Sequence, residues 1–369
     1  MRDGWVETTL GEIADYINGY PFKPSDLGDE GYPVIRIKQL LDAGEKVDRS
    51  TVVVPTRCIL QDGDIVFSWS GTLAVRVWNR GKALLNQHLF KVVEKTGVMH
   101  EWLPLAIDHS IEELVEKSHG TTMKHITKQT LLPHKLLLPP LVEQRRIVDV
   151  IQSADNYIAA LQERVDAARI ARNAVLHELL NAGGDGWVET TLGPLINLST
   201  GKLDVNAGVE GGQYSFFTCA RETYWIDVYA FSGPSVLVAG NGDLNVKYYN
   251  GYFNAYQRTY ILQPKTQYSI EAMFLFLFMS MYVEALRMNT QGSTIQYLKK
   301  AQFTEAPINL PPLVEQQRIV EIVSSMNDSI QATQQTIVEA KNLRSGLLSD
   351  LLSGEHEIPE SYDKLLGEA

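Results

Sequence analysis

Cysteine is scarce in this chain of 369 residues, which contains only Cys58 and Cys219. Two cysteines so far apart in sequence exclude a disulfide framework and a cysteine-rich zinc site, and they favour a reducing compartment. Long hydrophobic runs are also missing, because the most apolar segment, residues 272–283, is shorter than the ~20 residues that a membrane-spanning helix needs. The N-terminus shows no apolar signal segment. We therefore expect a cytoplasmic protein that does not act in a membrane.

The motifs of common catalytic sites are absent as well. The sequence contains no Gly-x-x-x-x-Gly-Lys-Ser/Thr, Gly-x-Gly-x-x-Gly, His-Glu-x-x-His or Gly-x-Ser-x-Gly, and no Asn/Asp-Pro-Pro-Tyr/Phe of amino-methyltransferases. The eight histidines are scattered, and His119, His125 and His134 have no carboxylate or cysteine at a ligand spacing. The sequence therefore predicts neither a catalytic residue nor a metal site.

Basic residues are outnumbered, and the formal net charge is −11. This total argues against a nucleic-acid partner, because binding to phosphates depends on Lys and Arg. However, residues 313–369 contain 10 acidic and 4 basic side chains and so carry more than half of the excess. The rest of the chain is close to neutral, and each of its parts can present a local basic face.

An internal repeat dominates the sequence. The segment Gly-Trp-Val-Glu-Thr-Thr-Leu-Gly at residues 4–11 recurs unchanged at residues 186–193. The segment Leu-Pro-Pro-Leu-Val-Glu-Gln-Arg-Arg-Ile-Val at residues 138–148 recurs at residues 310–320 with one change, Gln317 for Arg145. Between these borders the two copies diverge almost completely. This pattern is expected of a frame that fixes assembly while its two inserts recognise different things.

A long amphipathic helix is predicted after each Leu-Pro-Pro, because proline is favoured only before a helix or at its first position. Apolar residues then recur at alternating steps of four and three, which is typical of a coiled-coil seam. An arginine, Arg172 or Arg344, interrupts each seam. The predicted seam residues are Ile147, Ile151, Ile158, Leu161, Val165, Ile319, Val323, Ile330, Ile337 and Leu347.

The first helix, residues 141–180, would be about 60 Å long at ~1.5 Å per residue. The linker at residues 181–185 is too short to turn back along that length, so the second copy should lie at the far end. Pairing of the two seams then requires the second helix to run back antiparallel. The alternative is that each helix packs on its own neighbouring domain.

The predicted fold class is α+β, with two heads of mixed helix and strand separated by a long antiparallel two-helix coiled coil of pseudo-twofold symmetry. Short β-rich runs at residues 33–37, 64–68 and 235–238, and one helix per head near residues 102–118 and 270–288, support mixed heads. The predicted divisions are a first head at 1–137, a first long helix at 138–183, a second head at 184–309, a second long helix at 310–353, and a C-terminal tail at 354–369.

This order of heads and Leu-Pro-Pro helices closely resembles the specificity (S) subunit of type I DNA restriction-modification enzymes. The segments Gly-Asp-Ile-Val-Phe-Ser-Trp-Ser-Gly at 63–71, Asn-Gln-His at 86–88 and Thr-Met-Lys-His-Ile-Thr at 122–127 look like the target-recognition domains of that family. The resemblance runs from about Gly4 to Leu352. The second head departs from it, with Tyr-Gln-Arg at 256–258 in place of Asn-Gln-His.

The resemblance implies a non-catalytic subunit that recognises a bipartite, asymmetric target in double-stranded DNA. It also implies two methyltransferase (M) subunits as partners, and restriction (R) subunits that join them. S-adenosylmethionine, ATP and magnesium would belong to those partners, so no cofactor is expected in this chain. A rigid spacer between two groove-binding heads agrees with half-sites about one helical turn, roughly 10 base pairs, apart.

Polar and basic residues in the less regular segments are the candidates for base recognition, because Arg and Lys suit guanine, whereas Asn and Gln suit adenine. In the first head they are Lys23, Arg36, Lys38, Gln39, Ser70, Arg76, Lys124 and His125. In the second head they are Asn241, Asn245, Lys247, Arg258, Gln296, Lys299 and Lys300.

Two other classes of function remain open from the residues alone. The chain could be a coiled-coil scaffold that joins two protein partners without touching DNA, and its acidity supports that interpretation. A nuclease or methyltransferase that acts alone is a third possibility, which the missing motifs weaken.

Overall fold

The computed structural model describes residues 4–117, 126–265, 270–289, 297–359 and 361–365. The chain forms two compact units, one of Met1–Ala160 with Thr336–Ala369 and one of Leu161–Gln335. The division falls within both long helices. Each unit therefore contains one head together with one half of each long helix.

The described residues form helices and strands in both units. The helices are α1 Leu10–Ile13, α2 Ile37–Leu41, α3 Trp102–Lys117, α4 Lys128–Leu131, α5 Leu141–Asn181, α6 Ala272–Asn289, α7 Lys300–Thr304, α8 Leu313–Leu352 and α9 Ser361–Leu365. The strands of the first unit are β1 Val6–Thr9, β2 Ala14–Asn18, β3 Tyr32–Ile35, β4 Arg49–Ser50, β5 Ile59–Leu60, β6 Ile65–Ser68, β7 Ala74–Val77, β8 Ala83–Leu85, β9 Leu89–Glu94 and β10 Lys135–Leu138. The strands of the second unit are β11 Val188–Thr191, β12 Ile196–Thr200, β13 Tyr214–Phe217, β14 Tyr224–Ile226, β15 Phe231–Ala239, β16 Val246–Ala255, β17 Thr259–Pro264 and β18 Pro307–Leu310.

The first unit contains two four-stranded sheets, in the orders β2-β9-β6-β7 and β4-β3-β8-β5, and the separate pair β1-β10. Only β3 and β8 pair in parallel among the named strands that the structure describes in this unit. Helix α3 covers the first sheet and places Trp102 and Ile107 in the same apolar core as Phe67 and Phe90. Mixed helix and strand content in one core confirms the predicted α+β class.

The second unit has one six-stranded sheet, in the order β12-β17-β15-β16-β13-β14, and the separate pair β11-β18. Helix α6 supplies Phe274, Leu275 and Met279 to a core shared with Val236 of β15 and Leu262 of β17. The run of phenylalanines at residues 274–278 therefore serves mainly to bury the helix against the sheet.

The two heads share a strand framework despite their different sequences. In the first unit, β3 pairs in parallel with β8 through Val34 and Leu84. In the second, β13 pairs in parallel with β16 through Phe216 and Asn254. Val34 and Phe216 are 182 residues apart, as are Gly4 and Gly186 at the borders of the repeat. Leu84 and Asn254 are 170 residues apart, as are Gln87 and Gln257. The internal repeat therefore extends through the divergent interiors.

One apolar run of the first head forms two elements instead of one. The β-rich run at residues 33–37 was expected to be a single strand, but β3 ends at Ile35 and α2 begins at Ile37. Val34, Ile35 and Leu40 are all buried, so apolar character alone does not separate strand from helix here.

The long helices pack against each other inside each unit. In the first unit, Ile147 and Ile151 near the start of α5 share a core with Leu348 and Leu351 near the end of α8. In the second unit, Leu176 near the end of α5 shares a core with residues near the start of α8, including Ile319 and Val323. Both sets of contacts are antiparallel. Of the predicted seam residues, Ile147, Ile151, Leu161, Val165, Ile319, Val323, Ile330 and Ile337 are buried, and Ile158 and Leu347 are half-buried.

A buried glutamine fixes the start of each long helix. Gln144 donates from Nε2 to the carbonyls of Pro139 (2.8 Å) and Gly97 (3.0 Å), and its Oε1 accepts from Met99 N–H at 2.7 Å. Gln316 repeats this arrangement with the Pro311 carbonyl (2.9 Å) and Glu271 N–H (2.7 Å). Each glutamine therefore connects the Leu-Pro-Pro turn to the chain that enters the head helix.

The arginines that interrupt the two seams have different surroundings. Arg344 makes two hydrogen bonds to the Asp155 carboxylate, at 2.7 and 3.0 Å, and this contact raises the pKa of the guanidinium. The counterpart of Asp155 in the repeat is Asn327. Arg172 donates instead to Asn173 at 2.8 Å, its Nε atom is buried without a hydrogen-bond partner among the described residues, and burial lowers its pKa.

Replacing Asn327 by aspartate should therefore stabilise the second unit. We expect Asn327→Asp to raise the free energy of unfolding by about 1 kcal/mol, because it supplies the carboxylate that a partly buried guanidinium lacks. The mirror variant Asp155→Asn should lower it by a similar amount. Urea denaturation of both variants checks this, and a loss of stability in Asn327→Asp would contradict the proposed pairing.

Candidate nucleic-acid interface

Three irregular segments of the first unit meet at one end of its sheets. They are the β6-β7 turn at 69–73, the β8-β9 turn at 86–88 and the segment 126–128 that enters α4. Ile126 N–H donates to the Trp69 carbonyl at 2.9 Å, and the Trp69 ring lies 5.8 Å from the His88 ring. We call these segments the first loop cluster.

Buried polar contacts hold the first loop cluster in shape. The Ser68 hydroxyl donates to the Thr72 carbonyl at 2.7 Å, and Gly71 between them adopts a positive φ of 68° that favours glycine. In the second turn, the buried Asn86 side chain accepts from His88 N–H at 3.3 Å. Lys128 donates to the Tyr16 carbonyl at 2.5 Å and so anchors the start of α4. These hydrogen bonds link the turns and the start of α4 to the sheets of the first unit.

The second unit has a corresponding loop cluster, formed by residues 240–245, 257–258 and 297–300. Leu298 N–H donates to the Gly240 carbonyl at 2.9 Å, and Gly240 N–H donates to the Arg258 carbonyl at 2.9 Å. Leu298 and Ile126 are related by the repeat shift of 172, and they make the same kind of contact. The guanidinium of Arg258 lies 5.9 Å from the Tyr297 ring centroid. We call this group the second loop cluster.

Charged side chains surround the second loop cluster. The Asp243 carboxylate accepts from Arg221 at 2.6 Å and from Arg287 at 3.0 Å, and its hydrogen bond raises the pKa of Arg221. Lys247 donates to the Ala220 carbonyl, and burial lowers the pKa of its ammonium. The Asp243 carboxylate therefore holds Arg221 and Arg287 in position, and the Ala220 carbonyl holds Lys247.

The predicted base-recognition residues of the first head differ in accessibility. Lys23, Lys38 and Arg76 are exposed, Arg36 is half-buried, Gln39 and Ser70 are buried, and Lys124 and His125 lie outside the described residues. The structure brings α2 beside the first loop cluster, since a Cβ on Gly71 would lie 3.8 Å from Ile37 Cδ1. Arg36 and Lys38 flank Ile37 in the chain, and the Arg36 guanidinium contacts the Asp48 carboxylate at 2.9 Å. Gln39 donates instead to the Lys46 carbonyl at 2.6 Å.

The second-head candidates lie closer together. Arg258, Lys299 and Lys300 are exposed, Asn241, Asn245 and Lys247 are half-buried, and Gln296 lies outside the described residues. All the described ones belong to the second loop cluster or adjoin it along the chain. Asn245 donates to the carbonyls of Cys219 and Asp243, each at 2.8 Å, so its amide nitrogen already has partners.

Sequence reasoning missed several members of the two clusters. Trp69 and His88 in the first, and Tyr297 in the second, were not among the candidates, and neither was Arg221, which donates to Asp243 of the second cluster. One signal was available for His88, because it occupies the same place in Asn-Gln-His that Arg258 occupies in Tyr-Gln-Arg. The others belong to the clusters through contacts across loops distant in sequence.

The described residues contain neither a metal-binding cluster nor a membrane-spanning helix. Among the described residues, no three His, Cys, Asp or Glu side chains are grouped so as to hold a metal ion. No helix within those residues combines the length and apolar character needed to cross a membrane.

A family model for the type I restriction modification DNA specificity domain matches residues 2–168 and 184–342. The chain belongs to this family. Its two matched segments correspond to the two copies of the repeat, each with one loop cluster and the start of one long helix. The DNA specificity domain therefore occurs twice in the chain.

Individual relatives agree with this membership. The specificity subunit of the type I restriction enzyme EcoDI from Escherichia coli is 38% identical over 173 residues, which cover 46% of this chain and 38% of that protein. The MjaVIII specificity subunit from Methanocaldococcus jannaschii is 22% identical over 403 aligned positions, covering 96% of this chain and 93% of that protein. The chain thus spans less than half of the first relative and nearly all of the second.

Solved structures share the fold. The S subunit of a type I restriction-modification system from M. genitalium matches with a TM-score of 0.52 and 16% identity, over 96% of this chain and 97% of that one. A chain of another type I R-M system matches with a TM-score of 0.65 and 19% identity, over 95% and 98%. At such identities the likeness concerns the fold alone.

Proposed function

We propose that this chain is the specificity subunit of a type I restriction-modification complex, in which each loop cluster recognises one half of a split DNA target. The observation that carries the proposal is that the same framework presents different polar side chains in the two heads, such as His88 in one and Arg258 in the other. Bases are distinguished by the donors and acceptors that a side chain presents. Two different clusters therefore suit an asymmetric, bipartite site.

The exposed cations of the clusters support contact with DNA in spite of the net acidity. Lys299 and Lys300 at the start of α7, and Arg258 beside them, are exposed. More than half of the excess acid lies instead in residues 313–369. Positive side chains near the loops would bind phosphates and position the loops for base contacts.

Its partners in this proposal are double-stranded DNA, two methyltransferase (M) subunits and restriction (R) subunits, in the cytoplasm. The chain itself is non-catalytic and holds no cofactor, whereas S-adenosylmethionine, ATP and magnesium bind to the partners. The repeated Leu-Pro-Pro helix starts support two equivalent partners, because Gln144 and Gln316 give both the same local structure. A coiled-coil scaffold without DNA binding is not favoured, since the family model describes a DNA specificity domain.

The direct test compares DNA retention and adenine methylation. The purified chain, co-expressed with a methyltransferase subunit, should retain one duplex sequence selectively in a gel shift. Cells that contain this gene should methylate adenine within one split motif, and cells that lack it should not. Protein–protein assembly without any sequence-selective retention of DNA would support the scaffold instead.

Arg36 offers a test of a single head. Its guanidinium contacts the Asp48 carboxylate at 2.9 Å and remains partly exposed beside the first loop cluster. We expect Arg36→Ala to weaken binding about 10-fold and to relax one position of one half-site, as loss of a base contact of roughly 1–3 kcal/mol would. Competition gel shifts with single-base variants of the target measure this.

The matched control is Asp48→Asn, which removes the ion pair but keeps the arginine. It should retain the preference for both half-sites. If Arg36→Ala weakens binding to every sequence equally, Arg36 contacts phosphate and does not recognise a base.

A further inference from the structure

Large aromatic side chains are exposed together along one edge of the six-stranded sheet in the second unit. Tyr224 and Trp225 of the edge strand β14 are 45% and 49% exposed. Tyr229 in the loop that follows is 52% exposed, and Tyr252 of β16 is 56% exposed. Trp225 alternates with Tyr224 along β14 and therefore faces the other side of the sheet. Tyr224, Tyr229, Tyr252 and the half-buried Tyr214 of β13 form what we call the aromatic patch.

The rings of the aromatic patch contact one another. The Tyr229 ring centroid lies 5.0 Å from that of Tyr214 and 4.7 Å from that of Tyr252. Tyr224 pairs with Phe216 in the β13-β14 register, so it lies on the same face of the sheet as Tyr214, two residues further along the strands. Single exposed aromatic residues are common, but a contiguous group marks an interaction surface.

The first unit shows what occupies the corresponding place. The paired positions of β3 with β8 and of β13 with β16 make Tyr32 the counterpart of Tyr214 and Lys82 the counterpart of Tyr252. The Lys82 ammonium lies 4.4 Å from the Tyr32 ring centroid and donates to its hydroxyl at 3.1 Å. In the first unit, the Tyr32 ring is therefore covered by the Lys82 ammonium of the same chain. In the second unit, the position of Lys82 is taken by Tyr252, so the Tyr214 ring has no such ammonium at this position.

The segment that contains most of the aromatic patch is acidic, although the exposed Lys202 lines a cavity with Ala230 and Phe231 next to it. Residues 204–232 contain four acidic side chains, Asp204, Glu210, Glu222 and Asp227, which are all exposed. Their single basic residue, Arg221, is bound to Asp243 of the second loop cluster. Acidic side chains next to electron-rich rings attract a cation and repel phosphate.

We propose that the aromatic patch binds a lysine or arginine side chain from a basic segment of a partner protein, at the position that Lys82 fills in the first unit. The guanidinium or ammonium lies against the Tyr229 and Tyr252 rings, and the exposed carboxylates complete its environment. Stacking of nucleic-acid bases on these rings is disfavoured, because their phosphates would approach the four carboxylates. The surface is thus a protein-docking site separate from the two loop clusters.

The test uses the full-length chain and a fluorescein-labelled peptide of alternating arginine and glycine, followed by fluorescence anisotropy at low salt. Tyr229→Ala leaves the net charge unchanged, so a fall of about fivefold in peptide affinity reports on the ring itself. Tyr252→Lys recreates the Lys82–Tyr32 arrangement of the first unit. It should lower the affinity for the peptide by tenfold or more, because the new lysine occupies the place of the peptide's cation. Circular dichroism confirms that each variant is folded.

Two further variants make the test decisive. Tyr157→Ala removes an exposed tyrosine of α5 outside the patch and should leave peptide affinity unchanged. Lys82→Tyr uncovers Tyr32 in the first unit and should increase peptide binding. Unchanged affinity in both Tyr229→Ala and Tyr252→Lys overturns the proposal. Loss of duplex DNA binding in Tyr229→Ala, with the peptide unaffected, overturns it in favour of a nucleic-acid surface.

Discussion

Deleting one heptad from each long helix is expected to shorten the spacer of the DNA target by about three base pairs and to leave both half-sites unchanged. Seven residues of helix correspond to about 10 Å, and DNA rises roughly 34 Å in 10 base pairs. Suitable deletions are residues 160–166 of α5 and 333–339 of α8, which are opposed in the register that the Arg344–Asp155 ion pair sets. Sequencing of methylated adenines in cells that express the deletion variant measures the spacer directly.

A deletion in one helix alone serves as the control. It disrupts the seam register, so it should abolish methylation instead of changing the spacer. If the paired deletion keeps the original spacing and changes the bases recognised, the two long helices do not determine the distance between the half-sites.

Replacing Gln144 by alanine should lower the free energy of unfolding by about 3 kcal/mol. The side chain is fully buried, and its loss leaves the Met99 N–H and the carbonyls of Pro139 and Gly97 without their partner. A buried polar group that loses its hydrogen bond costs roughly 1–3 kcal/mol, and three groups are affected. Urea denaturation, followed by circular dichroism, measures the change.

The matched control is Gln152→Ala in the same helix. Gln152 is exposed and its side chain donates to Asn156 of its own helix, so the change should stay within about 0.5 kcal/mol. Gln316→Ala should resemble Gln144→Ala, because Gln316 makes the equivalent contacts. A loss below about 1 kcal/mol in both would mean that water replaces the glutamine at the helix start.

Much of the fold could be predicted because the repeat acts as an internal alignment. The borders at 4–11 and 186–193 mark the first strand of each head, and the Leu-Pro-Pro motifs mark the starts of α5 and α8 within a few residues. Nine of the ten seam positions of α5 and eight of the ten seam positions of α8 are apolar, so each helix requires a partner that buries its seam, and the structure supplies that partner within each unit. Strong periodicity over 40 residues is a signal that local propensity does not override.

The loop clusters were harder to predict, because their members come together through contacts that no sequence pattern records. Gln39 was a candidate for adenine, yet it is buried and bonded to the Lys46 carbonyl. Conversely, Trp69 joins the first loop cluster through residues distant in sequence, because Ile126 N–H donates to its carbonyl and the His88 ring lies 5.8 Å from its ring. Burial of a polar side chain in an irregular segment depends on the whole head, so its availability to a base could not be deduced from residue type.

The C-terminal tail makes the starts of the two long helices unequal. Asp363 of α9 receives two hydrogen bonds from the guanidinium of Arg146 near the start of α5, and Ile358 is buried in the core of the first unit. The counterpart of Arg146 at the start of α8 is Arg318, which contacts Glu315 of its own helix and whose side chain is 65% exposed. Arg146 is thus held by the tail while Arg318 is open to solvent, so the two otherwise repeated helix starts differ in the side chains that their surfaces offer.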